Sequence, residues 1–296
     1  MTTATLEPGS AVLPTFRKTS NARLMWKRIS GNTMVMTGGG ILLFFTLLAA
    51  LGPLIYPQDP LAVDTANRLA APSGAHPLGT DNYGRDILAR VMEGARVSLS
   101  VGFAASILTS AAGMAIGLIA AYNKVADAIL MRIMDGLMAF PGILLAIAIM
   151  AALGPQTTNV VIALVIVFTP YVARIVRSSA ISVKEQTFVE ALRAQGASLW
   201  RILFINIAPN IVSPLIIQAT FVFADSIITE AALSFLGAGV PPPAPSWGNI
   251  LLDGKTMIYN GWWMTVFPGV AIMATVLGIN LLGDGLRDLF DPKYKK

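Results

Sequence analysis

The amino-acid sequence predicts an all-α integral membrane protein with six transmembrane helices. Of its 296 residues, 55% are hydrophobic and only 12% are charged, and the mean hydropathy is +0.67. A soluble domain carries about 25% charged residues. A hydrocarbon core of about 30 Å needs roughly 20 apolar residues of helix, and six stretches are long enough. We place them at residues 34–56, 97–122, 128–153, 160–182, 211–236 and 263–286.

The distribution of Lys and Arg predicts that both termini are cytoplasmic. With the N-terminus inside, the 21 basic residues all fall in inner segments apart from Arg68, Arg85, Arg90, Arg96 and Lys255. The net charge of +5 is explained by this asymmetry rather than by nucleic-acid binding, because the basic residues flank apolar stretches.

Composition also limits the chemistry of the chain. The absence of cysteine excludes disulfides and thiolate metal sites, and a single histidine, His76, leaves no histidine cluster for a metal or a proton relay. The stretch 248–256 resembles a phosphate-binding loop, but five residues instead of four separate its glycines. We therefore predict no catalytic residue, no metal site and no cofactor bound by this chain.

The chain divides into three predicted parts. Residues 1–32 form a cytoplasmic tail that is polar enough to be disordered. Residues 33–95 hold the first transmembrane helix and an extracytoplasmic segment, whose end at 86–96 is predicted as an amphipathic helix leading into the second span. Residues 96–296 form a five-helix core with a cytoplasmic loop near 183–209.

Small residues and prolines mark points inside the spans. Gly113 and Gly117 form a GxxxG pair, which in lipid lets two helix backbones approach closely, either within this chain or against a sister subunit. Pro141, Pro170 and Pro268 interrupt spans three, four and six, and each invites a kink because it removes a backbone hydrogen bond.

Charged and aromatic residues near the span ends have local explanations. Arg132 and Asp135, three residues apart, are predicted to form an ion pair within one helix. Trp247, Trp262 and Trp263 are predicted to form an aromatic belt at the outer boundary.

The loop between spans four and five is unusually long for a membrane protein. Helix-forming residues run from 181 to 204 and are broken at Gly196, which predicts two short helices joined at that glycine. An exposed unit of this kind suits a groove on a partner protein. It could also rest in the lipid headgroups, where Trp200 and Arg201 would be stable.

This loop resembles the EAA loop of inner-membrane permease subunits of ATP-binding-cassette importers. Glu190 and Ala191, then Gly196 and Pro209, match its pattern. Three positions depart from it. Leu192 replaces the third small residue, and Asn206 and Ala208 stand where aliphatic side chains are usual.

Further motifs resemble the C-type subunit of the dipeptide and oligopeptide permeases, within the peptide, nickel and opine transporter family. These motifs occur in order and cover about residues 34–293, so the resemblance is highly specific. They lie at residues 76–86, 94–99, 233–237, 241–248, 280–288 and 291–292.

The resemblance implies a type I importer permease fold in a prokaryotic plasma membrane. It implies a second, homologous permease subunit, two cytoplasmic ATPase subunits that use ATP and Mg, and an extracytoplasmic substrate-binding protein. It implies that the loop docks on an ATPase subunit through Glu190, Ala191, Leu192, Arg193, Gln195, Gly196, Leu199 and Trp200. Dipeptides or oligopeptides are the implied substrates, although similar subunits serve nickel, glutathione, opines or oligosaccharides.

One face of span five is a candidate substrate path. Ser226, Glu230 and Ser234 recur every four residues and share a helix face, with Asp225 and Thr229 beside it. Charge at membrane depth is costly and usually faces a cavity or a partner. The alternatives are a contact with the sister subunit, or a glutamate near the outer end that reaches water.

Two other classes of protein remain as alternatives. A secondary transporter driven by an ion gradient is disfavoured by the lack of internal repeats and by the large inner loop. A membrane-embedded enzyme is disfavoured because the sequence has no clustered catalytic set.

Overall fold

A computed structural model of the protein describes residues 29–290. The predicted disordered tail falls mainly on residues 1–28, which lie outside the described residues. Asn32, at the predicted end of that tail, is the N-cap of the first long helix. Its Oδ1 accepts the N–H groups of Met34 and Val35 at 3.0 and 3.1 Å, which satisfies two donors that a helix start leaves free.

The described part of the chain is helical, and its only β pairing is an isolated bridge between Thr80 and Asp86. We number its nine α-helices in chain order. They are α1 (Thr33–Ile55), α2 (Ile87–Tyr122), α3 (Lys124–Met138), α4 (Gly142–Leu153), α5 (Thr157–Lys184), α6 (Thr187–Ala194), α7 (Val212–Phe235), α8 (Trp247–Gly254) and α9 (Trp263–Phe290).

Five of the predicted spans are long apolar helices, and the sixth is broken. The third span, predicted at 128–153 with an interruption at Pro141, is divided into α3 and α4, which meet at an angle of 94°, so the predicted kink at Pro141 is confirmed. Pro141 lacks an N–H and disfavours a helical conformation at Phe140 before it, so the helix stops at Met138 and restarts at Gly142. Pro170 and Pro268, by contrast, lie inside continuous helices.

Helix α2 is the centre of the bundle and packs most extensively on α5. The GxxxG pair explains the contact. A Cβ added at Gly113 would lie 2.6 Å from the Val172 Cβ, and one at Gly117 would lie 2.7 Å from the Ala173 carbonyl oxygen. Only glycine allows this approach, so the prediction of glycine-mediated packing is confirmed for a contact within the chain.

The N-terminal turns of α2 anchor the outer segment. Asp86 is the N-cap and accepts the Ala89 N–H at 2.9 Å. Its second oxygen accepts the Tyr56 hydroxyl and contacts His76 Nδ1, both at 2.9 Å. The amphipathic helix predicted at 86–96 is therefore the start of α2, and it continues into the second span without a break.

A buried ionic cluster joins this segment to α8. Arg85 contacts Asp81 at 2.6 Å and Asp253 at 2.9 Å, and Arg90 contacts Asp253 at 3.0 Å. Arg90 is almost fully buried. Sequence patterns do not reveal this cluster, because Asp253 is far along the chain from the other members.

The predicted tryptophan belt is wrong for two of its three members. Trp247 is fully buried and donates its indole N–H to the Val91 carbonyl at 3.0 Å. Trp263 is also buried and donates to the Thr80 carbonyl at 2.9 Å. Of the three, Trp262 alone is largely exposed. Both buried indoles stabilise the outer core by combining apolar burial with a satisfied donor.

The close α2–α5 contact makes a testable prediction. Gly117→Ala should lower the stability of the purified protein by about 1–3 kcal/mol, because the added methyl group meets a backbone oxygen that cannot move without separating the helices. Gly39→Ala on α1 is the matched control, since an added Cβ there meets nothing within 4 Å. Equal melting temperatures for the two variants, measured by size-exclusion after heating, would contradict the packing assignment.

Candidate functional site

The end of the bundle that carries α6 is called the inner end, and the opposite end the outer end. Helix α6 closes with a Schellman turn: the Ala197 N–H bonds to the Leu192 carbonyl at 3.0 Å, and the Gly196 N–H to the Arg193 carbonyl at 2.9 Å. This turn needs a residue at positive φ, and Gly196 has φ +75°. The predicted break between two helical segments is confirmed.

One side of this loop is part of the core. Val189 on α6 is fully buried, as are Ile202, Leu203 and Ile207 on the π-helical segment Arg201–Ile207 that follows. They share one cluster with buried residues from the inner ends of α2 and α5 and from α7. Burial of this kind contributes about 1.5–3 kcal/mol per large aliphatic side chain, so the loop is fixed to the helices above it.

The other side of the loop is exposed and carries the predicted docking residues. Glu190, Ala191, Arg193, Gln195, Gly196, Leu199 and Trp200 are exposed, and Leu192 is half-buried. Trp200 is 65% exposed and its ring centroid lies 4.0 Å from that of Phe204. Seven of the eight residues are thus exposed along the loop, whereas Leu192 packs against the inner core, and the role of all eight in docking stays a prediction.

A second attachment ties the loop to the inner end of α2. Lys184 Nζ donates to the Ala121 carbonyl at 2.8 Å, where a helix C-terminus leaves acceptors free and favours a cation. The Arg193 guanidinium lies 5.3 Å from the Tyr122 ring centroid. Sequence reasoning missed Lys184 and Tyr122, because a lysine at this end of a span is already explained by the positive-inside rule.

Asn206, one of the three departures from the EAA pattern, makes a local contact in the structure. Asn206 Nδ2 donates to the Arg201 carbonyl at 2.7 Å, and Asn210 Nδ2 donates to the Asn206 carbonyl at 2.7 Å. Pro209 lacks an N–H, and wider π-type turns often appear where the regular ladder is interrupted. The asparagine amides supply donors to carbonyls in this irregular segment.

The face of α7 predicted to line the substrate path divides into two parts. Ser226, Glu230 and Ser234 are fully buried. Glu230 accepts the Ser98 hydroxyl at 2.9 Å and the Ser234 hydroxyl at 2.7 Å. These three side chains therefore point into the subunit rather than into an open path. The alternative of a glutamate that reaches water is also wrong, because α2 and α8 pack against this face.

The buried glutamate organises the outer loop through backbone donors. Ser98 accepts the Trp247 N–H at 3.3 Å, and Ser234 accepts the Val240 N–H at 3.1 Å. Each serine thus links one backbone N–H to the carboxyl group through its own hydroxyl. This glutamate node, made of Ser98, Glu230 and Ser234, fixes α8 against α2 and α7.

Asp225 and Thr229 lie on a different part of α7. Asp225 is exposed and Thr229 is half-buried. Within residues 29–290, no hydrogen bond or ion pair to the Asp225 carboxylate is found. That Asp225 and Thr229 line a substrate path stays a prediction. The fully buried side chains of Ser226, Glu230 and Ser234 do not face an open path.

Helices α3 and α5 carry a polar basin of about 470 Å³ near the inner end. The local pair predicted between Arg132 and Asp135 is wrong: Asp135 instead contacts Arg174 on α5 at 2.8 Å. Arg177 on α5 forms a two-pronged contact with Asp127. Arg132 lines the same basin.

The described residues offer no cluster of three or more His, Asp or Glu side chains suited to a metal ion. The glycine-containing stretch that resembled a phosphate-binding loop forms helix α8, with Gly248 and Gly254 buried. Such a helix lacks the open loop of N–H groups that cradles a phosphate.

This architecture matches a known class of membrane protein. Residues 113–296 match the family of binding-protein-dependent transport system inner membrane components, and residues 20–72 match the N-terminal TM domain of oligopeptide transport permease C. The first match covers more than half of the chain. The protein therefore belongs to this family, as a C-type permease subunit of an ATP-binding-cassette importer.

Relatives of known name extend over nearly the whole chain. A putative peptide transport system permease of Brucella abortus is 46% identical over 288 residues, 97% of each chain. The dipeptide transport system permease of Alkalihalophilus pseudofirmus is 44% identical, over 92% of this chain and 90% of its own. A glutathione transport system permease of Pectobacterium atrosepticum is 41% identical, over 96% of each chain.

A solved structure supports the fold independently. The chain resembles the MetNI methionine ABC transporter in an inward-facing conformation, with a TM-score of 0.56 at 19% identity. The match covers 68% of this chain and 96% of the other. The predicted type I importer permease fold is confirmed.

The glutamate node predicts a stability difference between two neighbouring serines. Ser98→Ala should lower the melting temperature, because it leaves the buried Trp247 N–H and a Glu230 oxygen without their partner, at a cost of about 1–3 kcal/mol. Ser100→Ala is the control, since Ser100 is exposed and donates only to the Val97 carbonyl of its own helix. A Ser98 variant as stable as the Ser100 variant would show that the node contributes little.

Proposed function

We propose that this subunit forms half of the translocation path of a peptide importer and that its inner loop transmits the motion of an ATPase subunit. The observation that carries the proposal is the division of the loop into a buried side and an exposed side. Val189 and Ile202 fix it to the helix bundle, while Leu199 and Trp200 remain available to a partner.

The coupling follows from rigid packing. A partner that pushes on the exposed side displaces α6, and α6 cannot move alone because its apolar side belongs to the same core as the inner ends of α2, α5 and α7. Close-packed interfaces transmit displacement rather than absorb it. The push becomes a rigid-body movement of helices, of the kind that switches a transporter between two conformations.

The exposed apolar residues also fit a protein partner. Leu199 and Trp200 are 51% and 65% exposed, beside the charges of Glu190 and Arg193. Buried aromatic anchors surrounded by polar contacts are typical of protein interfaces. Resting in headgroups remains the competing interpretation for this surface.

The proposed partners are a homologous second permease, two cytoplasmic ATPase subunits and an extracytoplasmic binding protein. ATP and Mg belong to the ATPase subunits, so the proposal assigns this chain no catalysis and no cofactor. The subunit lies in the prokaryotic plasma membrane with both termini cytoplasmic, as the distribution of Lys and Arg favours.

Dipeptides or oligopeptides are the proposed substrates. Several similar proteins are named as peptide or dipeptide permeases. The glutathione permease is nearly as similar, which makes that tripeptide the second candidate. Asp225 is the residue of α7 that we propose as a path contact, because an exposed carboxylate within a span is costly in lipid and suits the ammonium group of a peptide.

Replacing Gly196 tests the coupling. Gly196→Val should reduce ATP-driven peptide uptake at least tenfold in the reconstituted importer while ATP hydrolysis persists. A β-branched residue at φ +75° is strained. Because the backbone relaxes away from this angle, the orientation of α6 toward the ATPase subunit changes. Uptake of a labelled dipeptide and phosphate release are measured in the same vesicles.

Gly237→Val is the matched control. Gly237 has φ +81° and open space around its Cβ position, and it closes the same kind of Schellman turn, but at the outer end of α7. It imposes similar backbone strain far from the loop and should leave the ratio of uptake to hydrolysis unchanged. Normal uptake by the Gly196 variant would count against the coupling role.

A further inference from the structure

The polar basin between α3 and α5 combines two ion pairs across the helices with one guanidinium group that is unpaired among the described residues. Five charged side chains, Asp127, Arg132, Asp135, Arg174 and Arg177, line its volume of about 470 Å³. That volume falls within the range of about 300–1,000 Å³ common for small-molecule sites. Only Ala128 and Met131 complete the lining.

Four of the five charges neutralise each other in pairs across the two helices. Arg177 contacts Asp127, and Arg174 contacts Asp135 at 2.8 Å. Arg132 makes no ion pair or side-chain hydrogen bond with any residue between 29 and 290. The basin thus carries one uncompensated positive charge on a guanidinium group, which offers a fork of donors suited to a carboxylate.

The pairs beside Arg132 leave acceptors open as well. Asp135 and Arg174 are both 54% exposed at their side chains, so their mutual contact does not enclose the carboxylate. A solute with a carboxylate at one end and an ammonium at the other would find a partner for each charge.

We propose that this basin is an inner-end subsite that holds a zwitterionic peptide on its way through the subunit. Arg132 binds the terminal carboxylate, and Asp135 accepts the terminal ammonium. This assignment rests on the proposed importer function and deepens it, because it places the solute on α3 and α5 rather than on the buried face of α7.

The test measures binding to the purified complex of both permeases and both ATPases without the binding protein. The probe is isotopically labelled dialanine. Arg132→Gln should weaken dialanine binding about tenfold, because it removes a charge-assisted hydrogen bond, and Arg132→Lys should restore part of it. Arg287→Gln is the control, since Arg287 is exposed at the inner end of α9 and should bind as the wild type does.

Two competitors identify the ligand chemistry. Dialanine amide, which lacks the carboxylate, should compete poorly with labelled dialanine for the wild-type complex. Displacement by glycerophosphoethanolamine as strong as by dialanine itself would overturn the proposal in favour of a lipid headgroup site. Equal dialanine binding by the wild type and Arg132→Gln would also overturn it.

Uptake separates this inference from the proposed function. Suppose that the complete wild-type importer takes up dialanine or trialanine with ATP, and that the Arg132→Gln importer binds and transports them equally well. This result overturns the subsite and leaves the proposed peptide function intact. A complete importer that takes up neither peptide overturns the proposed peptide function itself.

Discussion

The packing of α6 into the inner core is the constraint on which the rest of the structure depends. Val189 is fully buried, and the π-helical segment behind it buries Ile202, Leu203 and Ile207. An exposed loop with this many buried anchors cannot fluctuate independently of the bundle. The tie from Lys184 to the end of α2 adds a polar contact to the same junction. The loop is consequently an extension of the bundle rather than a tether between spans.

Stiffness elsewhere in the subunit is consistent with this arrangement. The glycine contact between α2 and α5 leaves no space between the two backbones, and the glutamate node fixes α8 at the outer end. A displacement that enters at the inner end therefore meets no loose joint along α2. The sharp bend between α3 and α4 is the exception, and it lies beside the polar basin.

Features set by local sequence were predictable. Hydropathy located the long helices, because in lipid every backbone group must be satisfied within the segment. Gly196 predicted the turn at which α6 ends, because few residues other than glycine adopt a positive φ. The EAA resemblance located the loop from its residue pattern alone. Boundaries were less predictable, as the start of α3 at Lys124, four residues before the predicted third span, shows.

Features set by contacts between distant residues were not predictable. Glu230 looked like a path residue because its helical spacing with Ser226 and Ser234 is real, but spacing does not tell which side of a helix faces the protein. The same limit misplaced Trp247, whose partner Val91 lies in another helix. Asp135 had a nearby arginine in sequence, yet Arg174 across the helix interface offered the better geometry.

The most direct test of the central claim is a spin-label distance across the loop and the bundle. The chain has no cysteine, so cysteines introduced together at two exposed positions, Thr187 on α6 and Ile119 at the inner end of α2, can be labelled without background from this chain. In the complete importer, the account predicts one narrow distance that stays the same with and without trapped ATP. A distance that broadens or shifts when ATP is trapped would contradict rigid attachment of the loop.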